Sequence, residues 1–473
     1  MMGDYHVRFC ERLGVKFPLS TRHRNRCMQA KKTPNNLKMD IKDEKIFEGY
    51  WFLPSQPKNK IAGILKVNGF KSFNLDLIGG FKTDITQLLG NSNQDKVIYG
   101  IVYNEANHLR KVTLFDCSSS FNMNFSSEHP LTKYKCQYFI DGMHLESKKT
   151  KSFYKICADF SNLYDWKPAG IIKQSLFYSK KKESSNNPEK ITIEAKTKDN
   201  WELPVEIEDG FKIILYGSIN YNSAPNYETV NLSQKTLFRI ESNSNQSISD
   251  FLIKLNLFKQ FISLGTLSDI SYRKIWLYDK QNYQEFKNGV KSENAVYLYY
   301  RYWGNEIDIK KKRHSNSIFS YSDIENEYAN LIKKWFKTDA NFIPIREHLI
   351  ESISYKKLFT SKDFLILIQA IEGYHTRFMN KGKSDLKNRL SDLVENKFKD
   401  IKIINEISPS DIEIIKDSRH YYSHLFISKT KIADGVELFQ LSIKLRSLLI
   451  CCVLSLIGFD NQKINELLTK NLR

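Results

Sequence analysis

The hydrophobic pattern of this chain changes about two-thirds of the way along, and this change limits the possible folds more than any other feature. Up to residue 305, short runs of β-branched and aromatic residues alternate with polar ones, as at Phe73, Leu75 and Leu77. An alternation with period two is typical of antiparallel strands that bury one face. From residue 318 the apolar residues recur every three or four positions, which is typical of helices. We therefore predict an α+β chain, with a β-rich antiparallel domain over 41–305 followed by an all-α helical bundle over 318–473.

Helical periodicity also predicts the individual helices. One lies in the β-rich half, at 247–264, with Ser247 or Ser249 as its cap. Seven more are predicted in the bundle, at 321–338, 344–358, 361–380, 384–400, 410–427, 433–458 and 461–471. For the helix at 410–427, a break at Asp417-Ser418 is an alternative to a continuous helix.

Two stretches do not fit either pattern. Residues 1–40 carry nine Lys/Arg against three Asp/Glu and lack periodicity. They are interpreted as a flexible basic arm or as an N-terminal extension that adds nothing to the fold. The polar stretch 179–190 (SKKKESSNNPEK) separates two groups of strands and is typical of a solvated hairpin loop or of a joint between subdomains.

The net charge of +19 favours a polyanionic partner such as nucleic acid, although it is spread along the chain. Residues 321–473 hold 24 Lys/Arg and 20 Asp/Glu, a surplus of only +4. RNA binding by the bundle would therefore depend on the local placement of cations rather than on bulk charge.

Cysteine usage and apolar run lengths indicate a cytoplasmic protein. The seven cysteines form no CxxC pair and no His/Cys cluster, so neither a disulfide framework nor a zinc site is predicted. The N-terminus lacks the pattern of a signal peptide. The longest apolar run, 448–459 (LLICCVLSLIGF), is shorter than the roughly 20 residues needed to cross a bilayer. It is predicted to be a buried helix, and no membrane partner is expected.

Several enzyme classes lack their signatures. The sequence contains no Gly-rich phosphate loop ending in Lys-Ser/Thr, no GxSxG and no HExxH. Nucleotide hydrolysis, α/β-hydrolase chemistry and metalloproteolysis are therefore disfavoured. The four tryptophans Trp51, Trp166, Trp201 and Trp276 of the β-rich half are interpreted as core or edge residues rather than as a ligand site.

The candidate chemistry lies in the bundle, in the segment DSRHYYSH. Arg419 offers a permanent charge and a planar donor fork for phosphate, and His424, with His420 as a supporting residue, can exchange a proton near neutrality. These are the parts needed to cleave RNA without a metal, because one group removes the 2′-OH proton while another stabilises charge on the phosphate. The spacing is weak evidence by itself, with 16 Arg and 10 His in the chain. The alternative is that Arg419 pairs with a carboxylate while the histidines pack or hydrogen-bond.

Helix geometry limits how these residues can share a site. At about 100° per residue, Arg419 and His424 point some 140° apart on a regular helix, whereas His420 and His424 are only about 40° apart. A shared site therefore requires a helix start or kink near Ser418, or a second copy of the motif facing the first. The His420 and His424 spacing would also suit two metal ligands, but no third ligand is identifiable, and neither a metal nor a cofactor is predicted.

Four further residues are secondary candidates. Glu372 is expected to orient Arg419 or His424, or else to be a surface carboxylate with His375 near it. Tyr421 and Tyr422 are candidates for stacking on RNA bases, with core packing as the alternative for at least one of them.

The bundle resembles the HEPN superfamily, whose RNase signature is Arg, a polar residue and then His after four to six residues, here Arg419, His420 and His424. The segments FLILIQAIEGYHTRF (364–378) and LKNRLSDLVENKF (386–398) are similar to the helices that precede this motif in the ApeA-like branch. In the β-rich half, residues 47–69, KVTLFDC and NLYDW resemble the ApeA N-terminal domain. His420 departs from the family pattern, which often has Asn there, but it remains polar.

The resemblance implies a bacterial anti-phage protein that acts by abortive infection. Its HEPN domain would be a metal-independent endoribonuclease that works as a homodimer on host or phage RNA, tRNA included, and leaves 2′,3′-cyclic phosphate and 5′-OH ends. His424 would be the acid/base residue and Arg419 the phosphate clamp, with His420 supporting. Because such an RNase must stay silent until infection, we expect the β-rich half to sense a phage-derived trigger or to restrain the bundle.

The sequence leaves two other functions open. In one, the bundle is a non-catalytic HEPN dimerisation scaffold and the β-rich half binds a ligand or a protein. In the other, the chain is a general nucleic-acid binder driven by charge, whose affinity would fall steeply with salt.

Overall fold

The computed structural model describes residues 44–81, 97–103, 109–120, 131–178, 188, 190–196, 200–223, 228–286, 289–301, 317–337, 339–354, 360–379, 384–425 and 431–471. The predicted N-terminal extension (1–40), most of the polar stretch 179–190 and residues 306–316 between the two predicted regions lie outside these residues. The chain divides into two compact units, Met1–Asp43 and Glu44–Arg473, and every described residue belongs to the second.

The β-rich half consists of strands that pair antiparallel in every ladder between them. The described strands are β1 (Glu44–Phe52), β2 (Ile61–Asn68), β3 (Ser72–Ile78), β4 (Ile98–Tyr103), β5 (Leu109–Phe115), β6 (Ser118–Ser120), β7 (Leu131–Cys136), β8 (Tyr138–Asp141), β9 (Phe153–Phe160), β10 (Ile172–Phe177), β11 (Lys190–Ala195), β12 (Glu202–Glu206), β13 (Phe211–Ser223), β14 (Val230–Gln246), β15 (Tyr272–Tyr278), β16 (Tyr283–Glu285), β17 (Lys291–Glu293) and β18 (Val296–Tyr300). The described α-helices among these strands are α1 (Leu163–Trp166) and α2 (Ile248–Thr266).

Fourteen of the described strands form one sheet in the order β12-β13-β14-β9-β15-β18-β8-β5-β4-β1-β2-β3-β7-β6. The remaining four form two separate hairpins, β10-β11 and β16-β17. This arrangement confirms the predicted antiparallel β-rich half. Strand β2 coincides with the apolar run IAGILKVN at 61–68.

The strands with no strong sequence signal include β9, β10, β12 and most of the 17-residue β14. In β9 (FYKICADF), Ile156, Ala158 and Phe160 are buried, but Lys, Cys and Asp occupy the intervening positions and weaken the β propensity. This strand forms because β14 and β15 pair with it on its two sides. Pairing with neighbouring strands therefore determines that this segment is a strand, because its own sequence does not.

The sheet buries opposite faces at its two ends. On β1 to β5, β7 and β8, one face closes over a core that includes Trp51, Leu75 and Phe139. On β9, β13 to β15 and β18, the other face packs against α2, where Phe238 and Phe258 stack with ring centroids 3.6 Å apart. Helix α2 is capped by Ser247, one of the two predicted caps, which forms a capping box with Asp250.

The C-terminal region is helical, as predicted. Its described helices are α3 (Tyr328–Phe336), α4 (Ile343–Ser354), α5 (Ser361–Phe378), α6 (Leu386–Ser391), α7 (Pro409–His424), α8 (Gly435–Ile457) and α9 (Asn461–Asn471). The predicted helix at 321–338 is a short 3-10 turn (Tyr321–Asp323) followed by α3, and the one at 384–400 is α6 continued by a π-helical turn (Asp392–Lys397).

Helix α8 contains the apolar run 448–459 and is the central helix of the bundle. By length and composition it would also suit a membrane span, but 67% of its most apolar window is buried inside the protein. Leu445, Leu448 and Cys452 are all fully buried. Helix α8 is therefore a core helix, as predicted.

The bundle packs directly on the β-rich half. Trp335 of α3 donates its indole N–H to the Leu257 carbonyl of α2 over 2.7 Å, and Arg346 of α4 donates to the Trp335 carbonyl over 3.1 Å. One continuous apolar core extends from Phe115 to Leu468. The predicted division at 305 and 318 marks a change in structure type, and the domain boundaries stay a prediction.

Candidate active site

Helix α7 carries the Arg-His motif, and its start is strongly specified. Ser408 caps it, Pro409 takes the first position, and Ser408 and Asp411 form a capping box. Lys444 of α8 donates to the Asp411 carboxylate over 2.8 Å, which fixes the first turn of α7 against the bundle core. Burial of Ile412 completes the anchoring of this turn.

Of the two alternatives for this helix, the structure has the continuous one: α7 runs from Pro409 to His424 without a break at Asp417-Ser418. Ser418 is fully buried, and its hydroxyl oxygen accepts the Ala433 N–H over 2.9 Å. Since the helix is regular here, Arg419 and His424 point about 140° apart within one chain. A kink therefore cannot bring them together, and a second copy of the motif is the alternative that remains.

Arg419 faces α5, where the structure places Glu372 beside it. The Arg419 Nη2 atom lies 3.6 Å from Glu372 Oε2, with 37% of the Arg419 side chain exposed and 23% of that of Glu372. This ion pair is longer than a hydrogen bond, so guanidinium donors of Arg419 stay available to an incoming anion. The pairing fits the expected orienting role of Glu372, and it equally fits the alternative in which Arg419 only pairs with a carboxylate.

Arg389 of α6 is a member of this cluster that was not anticipated from the sequence. Its Nη1 atom lies 3.8 Å from Glu372 Oε1 and donates to the Glu372 carbonyl over 3.5 Å, while its Nε donates to the Ser384 carbonyl over 2.9 Å. The Glu372 carboxylate therefore lies between two guanidinium groups, and the cluster carries a net positive charge. The only sequence signal for Arg389 is its place in the LKNRLSDLVENKF segment.

His420 and His424 lie on one face of the last turns of α7. Their ring centroids are 5.0 Å apart, and both residues are exposed. The helix ends immediately after His424, where Leu425 adopts a left-handed conformation (φ 54°) and donates its N–H to the Tyr421 carbonyl. Two imidazoles are thus presented at the surface near a helix end, within reach of a large substrate.

His375 is located away from the surface. It is 2% exposed, and its Nε2 atom lies 2.9 Å from Asp392 Oδ2 in the π-helical turn. Asn396 donates to the other oxygen of the same carboxylate over 3.0 Å. The observed contacts of His375 join α5 to the turn after α6, which gives this residue a structural task in holding Glu372 and Arg389 on neighbouring elements.

The two tyrosines of the motif differ in environment. Tyr422 donates its hydroxyl to the Ala433 carbonyl over 2.8 Å and packs edge-on against Phe364. Burial, followed by the nearby Asp434 charge, raises its pKa. Tyr422 therefore packs on the bundle, while Tyr421 is half-buried beside it and stays the candidate for base stacking.

Within the described ranges, no group of three or more His, Cys, Asp and Glu side chains is arranged to hold a metal ion. The groups that the site offers are therefore guanidinium, carboxylate, imidazole and phenol. These can bind an anion and transfer protons.

Comparison with protein families separates the chain into two matched parts. The model for ApeA N-terminal domain 1 matches residues 46–335, and that for Apea-like HEPN matches residues 365–463. The chain belongs to the ApeA-like HEPN proteins. Searches of curated proteins and of solved structures found no match.

The HEPN match of this ApeA-like protein covers every element of the site. It spans nearly all of α5, then α6, α7, α8 and the start of α9, so that Glu372, Arg389, Arg419 and His424 all fall inside it. The N-terminal match extends to Trp335 in α3, beyond the last strand of the sheet. The two matches support an anti-phage function of the HEPN type.

Proposed function

We propose that this protein is a metal-independent endoribonuclease of an anti-phage abortive-infection system, acting in the cytoplasm. One observation carries the proposal: within a HEPN domain, Arg419 is held beside Glu372 while His420 and His424 are exposed on the same helix. This combination supplies an anion-binding guanidinium and surface imidazoles without any requirement for a metal.

In the proposed reaction, His424 accepts the proton of a ribose 2′-OH, and the oxygen attacks the adjacent phosphorus. Arg419 donates hydrogen bonds to the non-bridging oxygens as negative charge builds up on them. The bond to the 5′-oxygen breaks, and that oxygen takes a proton from a second imidazole. The products carry a 2′,3′-cyclic phosphate and a 5′-OH, with no water consumed.

We propose a homodimer as the catalytic unit, because the 140° separation on α7 prevents one chain from placing Arg419 and His424 on the same phosphate. Exposed apolar side chains flank the motif: Leu425 is 76% exposed and Val436 at the start of α8 is 72% exposed. A second copy covering this surface would bury them and bring the two motifs together. Arg419 of one copy and His424 of the other would then act on the same phosphate, and the imidazole that protonates the leaving oxygen would be His420 beside that His424.

In this proposal, the β-rich half restrains the bundle or responds to a phage-derived trigger. The contacts that support such a role are those of α2 with α3 and α4, including the hydrogen bond from Trp335 to Leu257. A change in the sheet that moves α2 would reach α4 directly, and α4 packs against α5, which carries Glu372.

The test compares purified wild-type protein with Arg419→Ala and His424→Ala on cellular RNA in EDTA. We expect each substitution to reduce cleavage by at least about 100-fold. The matched controls, Arg377→Ala and His348→Ala, remove the same residue types elsewhere in the bundle and are expected to leave cleavage unchanged. Equal cleavage by all five proteins, or cleavage only with added metal, would contradict the mechanism. Phage protection retained by both motif variants would favour the non-catalytic scaffold.

A further inference from the structure

The face of the sheet opposite α2 carries aromatic and cationic side chains. In β9, β13, β15 and β18, the residues that alternate with the buried ones include Lys155, Tyr216, Lys274, Trp276 and Tyr297. All are exposed or half-buried, although none of their strands lies at an edge of the sheet. A sheet face that packs against another element is apolar, and one that only contacts solvent carries few aromatic side chains. This face has neither composition.

Strand register places Trp276 and Tyr297 side by side. They are direct partners in the ladder between β15 and β18, and Trp276 is also the direct partner of Cys157 on β9. The two rings therefore occupy fixed positions on adjacent strands, about 5 Å apart along the sheet.

Each ring on this face has a cation close to it. Lys274 Nζ lies 4.5 Å from the Tyr297 ring centroid and 5.6 Å from that of Trp276. Similar contacts join Arg110 to Tyr297, Lys155 to Tyr278 and Arg239 to Tyr216, at 5.5, 4.2 and 5.1 Å. The rings and cations therefore form one mixed surface across several strands.

Lys274 differs from the other cations in its charge partners. Arg110, Lys155 and Arg239 are each paired with carboxylates, namely those of Asp141, of Glu293, and of Glu202 and Glu241. Among the residues that the structure describes, no carboxylate lies within 4.0 Å of Lys274 Nζ, and its side chain is exposed. Lys274 can therefore turn from the rings to an anionic ligand without breaking an ion pair.

We propose that Trp276, Tyr297 and Lys274 form a binding site for single-stranded nucleic acid. Successive unpaired bases stack on the two rings, and Lys274 contacts the phosphate between them. Unpaired bases are required because, inside a duplex, the faces of the bases are stacked on one another and cannot contact Trp276 or Tyr297. This inference deepens the proposed function by giving the β-rich half a role in holding RNA, but it does not require cleavage.

The test measures binding of a fluorescein-labelled 12-nucleotide oligouridylate by anisotropy in EDTA, using the full chain with His424→Ala so that Arg419 is retained. Adding Trp276→Ala is expected to raise Kd by about ten-fold or more, and Trp276→Phe by much less. Adding Lys274→Gln is expected to reduce the slope of log K against log salt by about 0.7. The matched controls are Tyr103→Ala on β4 and Lys66→Gln on β2. Tyr103 is 50% exposed, and the Lys66 side chain is 44% exposed.

The inference is overturned if Trp276→Ala and Tyr103→Ala bind the oligonucleotide equally, or if a duplex of the same length binds as tightly as the single strand. Lys274 is exposed, so Lys274→Gln reports on the site even if Trp276→Ala fails to fold. Weaker binding by these variants would support the site even if Arg419→Ala and His424→Ala still cleaved RNA, so the two proposals fail separately.

Discussion

The Glu372 carboxylate of α5 lies 3.6 Å from the Arg419 guanidinium of α7, although the two residues are 47 positions apart in the chain. In the absence of substrate this carboxylate neutralises part of the Arg419 charge and limits where the guanidinium can point. A substrate phosphate must compete with it for the same donors. The pair is partly exposed, so its contribution to folding stability is at most about 1 kcal/mol, and its main effect is on the site.

Replacing Glu372 with Gln is expected to lower kcat for RNA cleavage by about ten- to a hundred-fold, because Arg419 loses the group that positions it. KM is expected to stay the same or fall, since the carboxylate no longer competes with the phosphate. Steady-state kinetics on one defined RNA would separate the two constants. Glu347→Gln, on the exposed side of α4, is the control. A raised KM with unchanged kcat would show that Glu372 does not position Arg419.

Replacing Arg389 with Ala is expected to have the opposite kinetic signature. Without Arg389, the Glu372 carboxylate pairs with the Arg419 guanidinium alone. The carboxylate then holds Arg419 more strongly, and the substrate phosphate competes less well for the Arg419 donors. We expect KM to rise by about three- to ten-fold, with a smaller change in kcat. Arg377→Ala, which removes a hydrogen bond to the Asn341 carbonyl, serves for comparison. Identical kinetics for the two variants would remove Arg389 from the site.

Replacing His375 with Ala is expected to affect stability rather than chemistry. The substitution leaves a cavity and removes a buried partner of Asp392, at a cost of about 1–3 kcal/mol in the free energy of unfolding. Urea unfolding would measure this cost, and cleavage assayed below the unfolding transition should remain close to wild type. A large loss of kcat in a fully folded His375→Ala protein would instead indicate that His375 takes part in catalysis.

The capping box of α7 predicts a pH dependence. Burial by itself raises the pKa of Asp411, but hydrogen bonds from Lys444 and Ser408 more than offset it, so the pKa is lowered. A carboxyl with a lowered pKa stabilises the fold above its unfolded pKa of about 4, and this stabilisation is lost as the pH falls through the folded value. Asp411→Asn should therefore be less stable than wild type at pH 7, with the difference narrowing below about pH 4.

Urea unfolding from pH 3 to pH 7 would test this, with Asp400→Asn at an exposed carboxylate as the control. A difference between Asp411→Asn and wild type that stays constant over the whole range would contradict the linkage.

The elements of the site could be predicted from sequence because their signals are local. The spacing of apolar residues predicts a helix at 410–427, within a few residues of the observed bounds of α7, Pro409–His424. The candidate residues Arg419, His420 and His424 follow from the chemistry of one short segment. Of the two partners expected for Glu372, Arg419 or His424, the structure places Arg419 beside it, through packing between α5 and α7 that has no local signal. The orienting role of Glu372 stays a prediction.

Other features depend on contacts between distant segments and have no local signal. Arg389 joins the site because α6 packs beside α5, and His375 is buried because the π-helical turn supplies Asp392. In the sheet, β9 and β14 form through pairing with neighbours rather than through their own propensity. Ser418 likewise accepts a hydrogen bond from Ala433, 15 positions away, a contact with no local signal.

The proposed cleavage chemistry is best tested by identifying the ends that the wild-type protein leaves on a defined RNA in EDTA, with Arg419→Ala as the control. Attack by the 2′-oxygen predicts 2′,3′-cyclic phosphate and 5′-OH ends. Such ends are joined only by an RNA ligase that accepts them. The fragment that carries the cyclic phosphate can be extended at its 3′ end only after that phosphate is removed. The Arg419→Ala protein should leave the RNA intact. Ends with a 3′-OH and a 5′-phosphate, or cleavage that requires a divalent cation, would contradict the proposed mechanism.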